Sequence, residues 1–185
     1  MTLAPRFWAA ELLQFWFTKL DQRDWFSGGG QLDIELARRF ARDHAILAGQ
    51  SAQSFATDPQ TALAAVLLFD QVPRNIFRGS AKAFATDPLA RAITRLALAR
   101  GFDRRLGSNA QRQFLAMPLM HSENIADQRL SLAVYRELPP RFGFAFARQH
   151  YAMIARFGRF PHRSAVLGRS NTPAEERAIA EGFAW

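Results

Sequence analysis

The sequence predicts an all-α fold, on three observations. Apolar residues recur three and four positions apart along the whole chain, which is the spacing of a helix face. No segment alternates apolar and polar residues as a half-buried strand does. Three prolines directly follow a residue whose side chain can cap a helix. A chain of 185 residues is long enough to bury its own core, so we expect one domain over residues 1–185.

The helical spacing divides the chain into about seven or eight helices. The first is centred on residues 12–16, and the others are expected at residues 32–47, 59–71, 88–100, 109–120, 124–138, 141–157 and 173–183. The third is apolar on all sides between Leu63 and Phe69. A helix without a polar face has to be covered by neighbours, so we expect it at the centre of the molecule.

The pentapeptide FATDP occurs twice, at residues 55–59 and 84–88. Each copy places an aspartate before a proline, so we expect Asp58 and Asp87 to accept backbone hydrogen bonds at helix starts. Thr172 and Glu175 have the spacing of a capping box. The repetition fits two interpretations equally: stacked helical hairpins, or independent use of the same good helix start.

Composition and motifs limit the classes of function. The net charge of +8 comes almost wholly from arginine, and these arginines are scattered, which argues against a nucleic-acid-binding protein. The chain has no cysteine, so disulfides and thiolate chemistry are excluded. It has no run of apolar residues long enough for a membrane span and no signal-peptide pattern, so we expect a cytoplasmic protein. No cofactor motif is present, and the histidines lack the helical spacing of metal ligands.

The first polar motif is DQVPRNIFRG, residues 70–79. Pro73 is expected to end the central helix near Gln71, because the residue before a proline disfavours helical geometry. Asp70 would then lie at the negative end of a helix and need a cationic partner, Arg74 or Arg78. The pair is either a structural ion pair that closes a turn or an aspartate that orients an arginine toward a ligand.

The second polar motif is PLMHSEN, residues 118–124. Pro118 should kink or end a helix, and His121 and Glu123 follow at once. A histidine in this position is either a partner of the helix end or a general acid or base whose tautomer a carboxylate fixes. His150 lies on the apolar stripe of a later helix, which predicts a core histidine.

The third polar motif is FGRFPHRSAVLGR, residues 157–169. We expect this segment to be ordered without regular secondary structure and to pack against residues 70–79. Its apolar side chains should face inward: Phe157, Phe160, Val166 and Leu167. Their anchoring would hold Arg159, His162 and Arg163 close to Asp70 and Arg74, and at least one of these arginines should pair with a buried carboxylate.

These three motifs, in this order, resemble a bacterial family known only as domain of unknown function number nine hundred and twenty-four. The resemblance extends from FWF at residues 15–17 to TPAEE at residues 172–176. It implies a tetratricopeptide-like α/α superhelical domain and brings no established reaction. The polar residues that occupy the motif positions are Asp70, Gln71, Arg74, Asn75, His121, Glu123, His162 and Arg163.

Two functions are compatible with these motifs. In the first, a pocket binds an anionic small molecule through Arg74, Arg78, Arg159 and Arg163, and His121 or His162 transfers protons. In the second, a non-catalytic scaffold offers a superhelical groove to a peptide or protein partner, and the polar motifs are structural. A pocket requires the three motifs to converge in space, whereas a scaffold requires a long exposed concave face.

Overall fold

The computed structural model describes residues 6–27 and 29–182, which contain helices and no strand, so the all-α prediction is confirmed for this part of the chain. The α-helices are α1 (Phe7–Gln14), α2 (Gln22–Ser27), α3 (Gly30–Leu47), α4 (Ala52–Phe55), α5 (Pro59–Val66), α6 (Val72–Ile76), α7 (Asp87–Ala99), α8 (Asn109–Met120), α9 (Ile125–Arg136), α10 (Phe144–Phe157) and α11 (Pro173–Ala180). The eight longest of these match the eight expected helices. The expected end near Phe183 lies outside the described residues, and the tetratricopeptide-like arrangement stays a prediction.

The predicted end of the central helix at Pro73 is wrong. Helix α5 continues through a π-helical turn, Leu67–Gln71, directly into α6. Proline lacks the N–H that would bond the carbonyl four residues back, at Phe69. The hydroxyl of Thr86 donates to that carbonyl instead, at 2.8 Å. A donor from a distant segment therefore lets the helix pass through the proline.

The central position of this helix is confirmed, because every residue from 61 to 73 is buried. Helix α5 packs against α1, α7 and α8, while α6 packs against α3. The chain then continues outward, with α8 against α9 and α9 against α10. The large side chains of the core include Trp16, Phe40, Phe55, Phe69 and Phe114. Burying each contributes about 1.5–3 kcal/mol to the stability of the fold.

Two of the three predicted helix caps are confirmed, and one is wrong. The backbone N–H of Thr61 donates to Asp58 Oδ1 at 2.9 Å. Thr172 and Glu175 form a reciprocal capping box. Asp87 accepts no backbone hydrogen bond as a cap, because α7 already begins at this residue and its carboxylate binds Arg74.

Residues 157–169 are fixed by a second, smaller apolar cluster. Phe160 is fully buried there with Met153 and Ile154 of α10 and Ala178 of α11. The other three side chains that were expected to face inward, Phe157, Val166 and Leu167, are only half-buried. The prediction therefore holds fully for Phe160 alone. Pro161–Arg163 form one 3-10 turn, which corrects the prediction of a wholly irregular segment.

Candidate functional site

His121 and Asp70 form the centre of the candidate site. His121 directly follows α8, which runs two residues past Pro118 before it ends. Its Nδ1 lies 2.9 Å from Asp70 Oδ1 and 3.0 Å from Asp70 Oδ2. An ionised carboxylate only accepts hydrogen bonds, so Nδ1 carries the proton and donates it. The lone pair of the neutral imidazole is then on Nε2.

Asp70 is an ionised carboxylate although it is fully buried. Burial alone would raise its pKa, but the charge of Arg74 and the hydrogen bonds from His121 and Gln71 hold that pKa well below its usual range. Arg74 Nη1 lies 3.3 Å from Asp70 Oδ1, and Gln71 Nε2 donates to Asp70 Oδ2 at 2.6 Å. Burial lowers the pKa of His121, so the imidazole is neutral at pH 7.

Arg74 connects Asp70 to a second carboxylate. Its Nη1 and Nη2 donate to the two oxygens of Asp87, each at 3.0 Å. Its Nη1 also donates to the backbone carbonyl of Asp70. Burial raises the pKa of Asp87 against the opposing charge of Arg74. The two aspartates therefore share one arginine, whose position both of them fix.

Arg163 brings the third motif to this site. Its Nη1 donates to the backbone carbonyl of His121 at 3.0 Å and lies 3.7 Å from Asp87 Oδ2. Its guanidinium lies between the rings of Phe84 and Phe160, 4.8 and 4.5 Å from their centroids. Its Nε is buried and has no hydrogen-bond partner among the described residues. Burial and the nearby charge of Arg74 lower the pKa of Arg163 to about 10.

The backbone around His121 is held by side chains. Gln128 Nε2 donates to the carbonyls of Met120 and Ser122, both at 2.7 Å. With the bond from Arg163 to His121, three successive carbonyls at the end of α8 have side-chain donors. The last carbonyls of a helix otherwise lack partners, so these bonds fix the backbone that carries the His121 ring.

Two further histidines lie beside this centre. The ring of His150 is 6.3 Å from that of His121 and 5.4 Å from that of Phe160. The ring of His162 is 5.7 Å from that of Phe160. His150 is buried and its Nδ1 donates to the carbonyl of Phe146 at 2.8 Å, as expected of a core histidine. Burial lowers the pKa of His150 to about 3 and that of His162 to about 4.

Two of the arginines that were expected to bind the anionic ligand form ion pairs with carboxylates outside the His121 site. Arg78 forms two hydrogen bonds of 2.9 Å with Asp33 of α3. Arg159 binds Glu175 of α11 at 2.7 and 2.9 Å. The latter confirms that an arginine of the third motif pairs with a buried carboxylate.

The remaining motif residues have structural contacts. Asn75 donates to the carbonyl of Gln71 at 3.0 Å. Glu123 accepts the backbone N–H of Phe160 at 2.8 Å and two bonds from Arg169, at 2.8 and 3.0 Å. Glu123 therefore fastens the third motif to the second.

The sequence interpretation missed several charged residues close to the site. Asp87, Arg91 and Arg95 follow one another at intervals of four along α7, which places them on one helix face. Arg91 and Arg95 contact Asp127, and Arg91 donates to the hydroxyl of Ser122. The spacing of four can be seen in the sequence. The contact with Asp127 cannot, because Asp127 belongs to a different helix, α9.

The described residues contain no group of three or more histidine, aspartate or glutamate side chains placed to hold a metal ion. In the same part of the chain, none of the helices is both long enough and apolar enough to cross a membrane.

The fold and the site define an all-α protein in which three polar motifs meet at a pair formed by a buried aspartate and a partly buried histidine. The family model described as "Bacterial protein of unknown function (DUF924)" matches residues 12–182, and the chain belongs to this family. A solved structure of a protein of unknown function from Agrobacterium tumefaciens is 36% identical in sequence, with a TM-score of 0.88. The match covers 94% of this chain and 97% of that one. No curated protein is significantly similar in sequence.

Proposed function

We propose that this chain binds a small anionic molecule beside His121 and that His121 exchanges a proton with it. The observation that carries the proposal is the state of the imidazole. Nδ1 donates to Asp70, while Nε2 has no hydrogen-bond partner among the described residues. The side chain is 14% exposed, so a ligand has access to one edge of the ring.

The His121–Asp70 pair suits general acid–base chemistry. A neutral imidazole accepts a proton at Nε2, and the buried carboxylate on Nδ1 stabilises the imidazolium that forms. We assign the proton transfer to His121 rather than His162, because Asp70 directly supports a charge on the His121 ring. Arg163, Gln128 and Arg74 position the pair through the bonds described above.

The local charges favour an anion as the ligand. The ion pairs around His121 contain five cations, Arg74, Arg91, Arg95, Arg163 and Arg169, and four carboxylates, Asp70, Asp87, Glu123 and Asp127. Five positive charges minus four negative charges leave a surplus of one positive charge while the imidazole is neutral. Such a surplus attracts an anion more strongly in a partly buried site than at an open surface.

The second candidate function is a non-catalytic scaffold whose polar motifs are structural. It is favoured by the way in which the arginines connect segments. Arg159 ties the third motif to α11, Arg169 ties it to Glu123, and Arg78 ties the end of α6 to α3. If these arginines serve only to hold segments of the chain together, the protein keeps this network of ion pairs without binding a ligand at His121.

The variant His121→Asn separates the two functions. The asparagine amide nitrogen reaches approximately the position of Nδ1 and donates to Asp70, but no group replaces Nε2. The matched control is His44→Gln, which places an amide near the His44 Nε2 that contacts Thr86 Oγ1 at 3.2 Å and leaves the side chains bonded to His121 unchanged.

Calorimetric titrations with inorganic phosphate and with acetate, at constant ionic strength and in buffers of different ionisation enthalpy, report both affinity and proton uptake. We expect the parent and His44→Gln to take up part of a proton near pH 6.5 on binding, because an anion at Nε2 favours the imidazolium. His121→Asn should lose this uptake. Equal proton uptake in His121→Asn and the parent, or no binding of either anion, would contradict the proposed function.

A further inference from the structure

We propose that Arg91 and Arg95 form an anion-binding subsite that receives a phosphate or carboxylate group of the ligand. Both arginines lie on the same face of α7, one and two turns after Asp87. None of the three sequence motifs contains them. The inference rests on the proposed function for the chemistry at His121, whereas anion binding at the arginine pair is tested separately.

A buried carboxylate organises the pair. Asp127 lies in the first turn of α9, and its side chain is only 2% exposed. It accepts a hydrogen bond from Arg95 Nη2 and one of 2.7 Å from Ser122 Oγ. Arg91 Nε lies 3.5 Å from Asp127 Oδ2, and Arg91 Nη1 donates to Ser122 Oγ at 3.2 Å. The two guanidinium groups are thus fixed next to each other by one acceptor.

The charges of this group do not balance. Two guanidinium groups and the positive end of α9 surround a single carboxylate. The Arg91 and Arg95 side chains are 39% and 48% exposed, so a dissolved anion can reach them. Each guanidinium has five N–H donors, and most of these donors are not used by Asp127 and Ser122. Planar donor groups with spare N–H bonds suit the oxygens of a phosphate or carboxylate.

The subsite adjoins the proposed reaction centre. Ser122, which Arg91 contacts, is the residue after His121. Asp87, one turn before Arg91 on α7, binds Arg74 and lies 3.7 Å from Arg163. The arginine pair is therefore connected to the proposed reaction centre through Ser122 on one side and through Asp87 on the other.

The chain contains a second arginine pair that serves as a control. Arg38 and Arg39 both bind Glu35, but Arg39 also binds Glu11, so two cations face two carboxylates. Arg91→Gln and Arg38→Gln lower the net charge of the protein by the same amount. Only Arg91→Gln removes a local surplus of positive charge, and this variant keeps the ion pair between Arg95 and Asp127.

The experiment is a titration of the 15N-labelled full chain with inorganic phosphate, and in parallel with acetate, at constant ionic strength. The Nε–H signals of the arginines report each site individually. We expect saturable shifts of the Arg91 and Arg95 signals, and an affinity at least about tenfold weaker in Arg91→Gln because a charged hydrogen-bond donor is lost. Arg38→Gln should bind as the parent does. Arg91→Lys, which keeps the charge without the planar group, should fall between them.

Three results would overturn the inference: no saturation of the Arg91 and Arg95 signals with either anion, shifts of equal size at Arg38 and Arg39, or unchanged affinity in Arg91→Gln. Repeating the titration on His121→Asn separates this inference from the proposed function. Retained shifts at Arg91 and Arg95, with no proton uptake in the parent protein, would support the subsite and contradict proton transfer by His121.

Discussion

Replacing Asp70 with asparagine perturbs the buried carboxylate at the centre of the candidate site. The carboxylate is fully buried and accepts hydrogen bonds from His121 and Gln71 while it forms an ion pair with Arg74. Asparagine has nearly the same shape but no charge. The amide nitrogen of the asparagine is a hydrogen-bond donor, and it would face the donors of His121, Gln71 or Arg74 that now meet a carboxylate oxygen. Asp70→Asn therefore removes the charge with little change in packing.

The expected cost follows from the charges left behind. Without Asp70, the guanidinium groups of Arg74 and Arg163 share Asp87 as their remaining carboxylate. Removing one partner of a buried ion pair typically costs about 3–5 kcal/mol, because an uncompensated charge stays buried. We expect a loss of this size for Asp70→Asn. The pKa of His121 should also fall further, since Asp70 no longer favours the imidazolium.

Urea denaturation at pH 7 measures the loss of stability, and NMR titration of the His121 ring measures its pKa. The control is Asp33→Asn, which removes the partner of Arg78 in an ion pair whose arginine is largely exposed. That variant should cost less than about 1 kcal/mol. If Asp70→Asn cost no more than Asp33→Asn, the argument that Asp70 holds the buried network would be refuted.

Three further predictions concern other parts of the chain. Asp58→Ala should lower the free energy of unfolding by about 1 kcal/mol, since the N–H of Thr61 loses its acceptor; an unchanged urea midpoint would show that this cap contributes nothing. His150 and His162 have pKa values of about 3 and 4 when folded and near 6.5 when unfolded, so the unfolded chain binds more protons below pH 6.5. The free energy of unfolding should therefore fall by several kcal/mol from pH 6.5 to 4. An unfolding free energy that does not change over this pH range would contradict the burial of His150 and His162 as neutral rings. Glu123→Gln should speed hydrogen exchange at the Phe160 amide, because Glu123 holds that N–H; unchanged protection would mean that other contacts fix the segment.

The parts of the fold that follow local rules could be predicted from the sequence. Helical spacing located the eight longer helices, and the caps at Asp58 and Thr172 involve residues only three positions apart. The errors occurred where a distant side chain competes with a local rule. Thr86 supplies the donor that lets the central helix continue past Pro73, and Arg74 takes the Asp87 carboxylate away from the helix start.

The candidate site could be predicted only in outline for the same reason. The three motifs identified Asp70, His121 and Arg163, which the structure connects within one network. The sequence does not show which carboxylate each arginine meets, because those partners lie 16 to 45 positions away for Arg159 and Arg78. The excess of arginine over aspartate beside Asp127 becomes visible only when α7 and α9 are placed together.

The 15N chemical shifts of the two ring nitrogens of His121 at pH 7 test the central claim most directly. A buried Asp70 carboxylate that accepts from Nδ1, with an unoccupied Nε2, predicts a neutral ring protonated at Nδ1. Addition of phosphate or acetate should then move the Nε2 signal toward the imidazolium position in a saturable way. A ring protonated at Nε2, or an Nε2 signal that neither anion changes, would contradict the account.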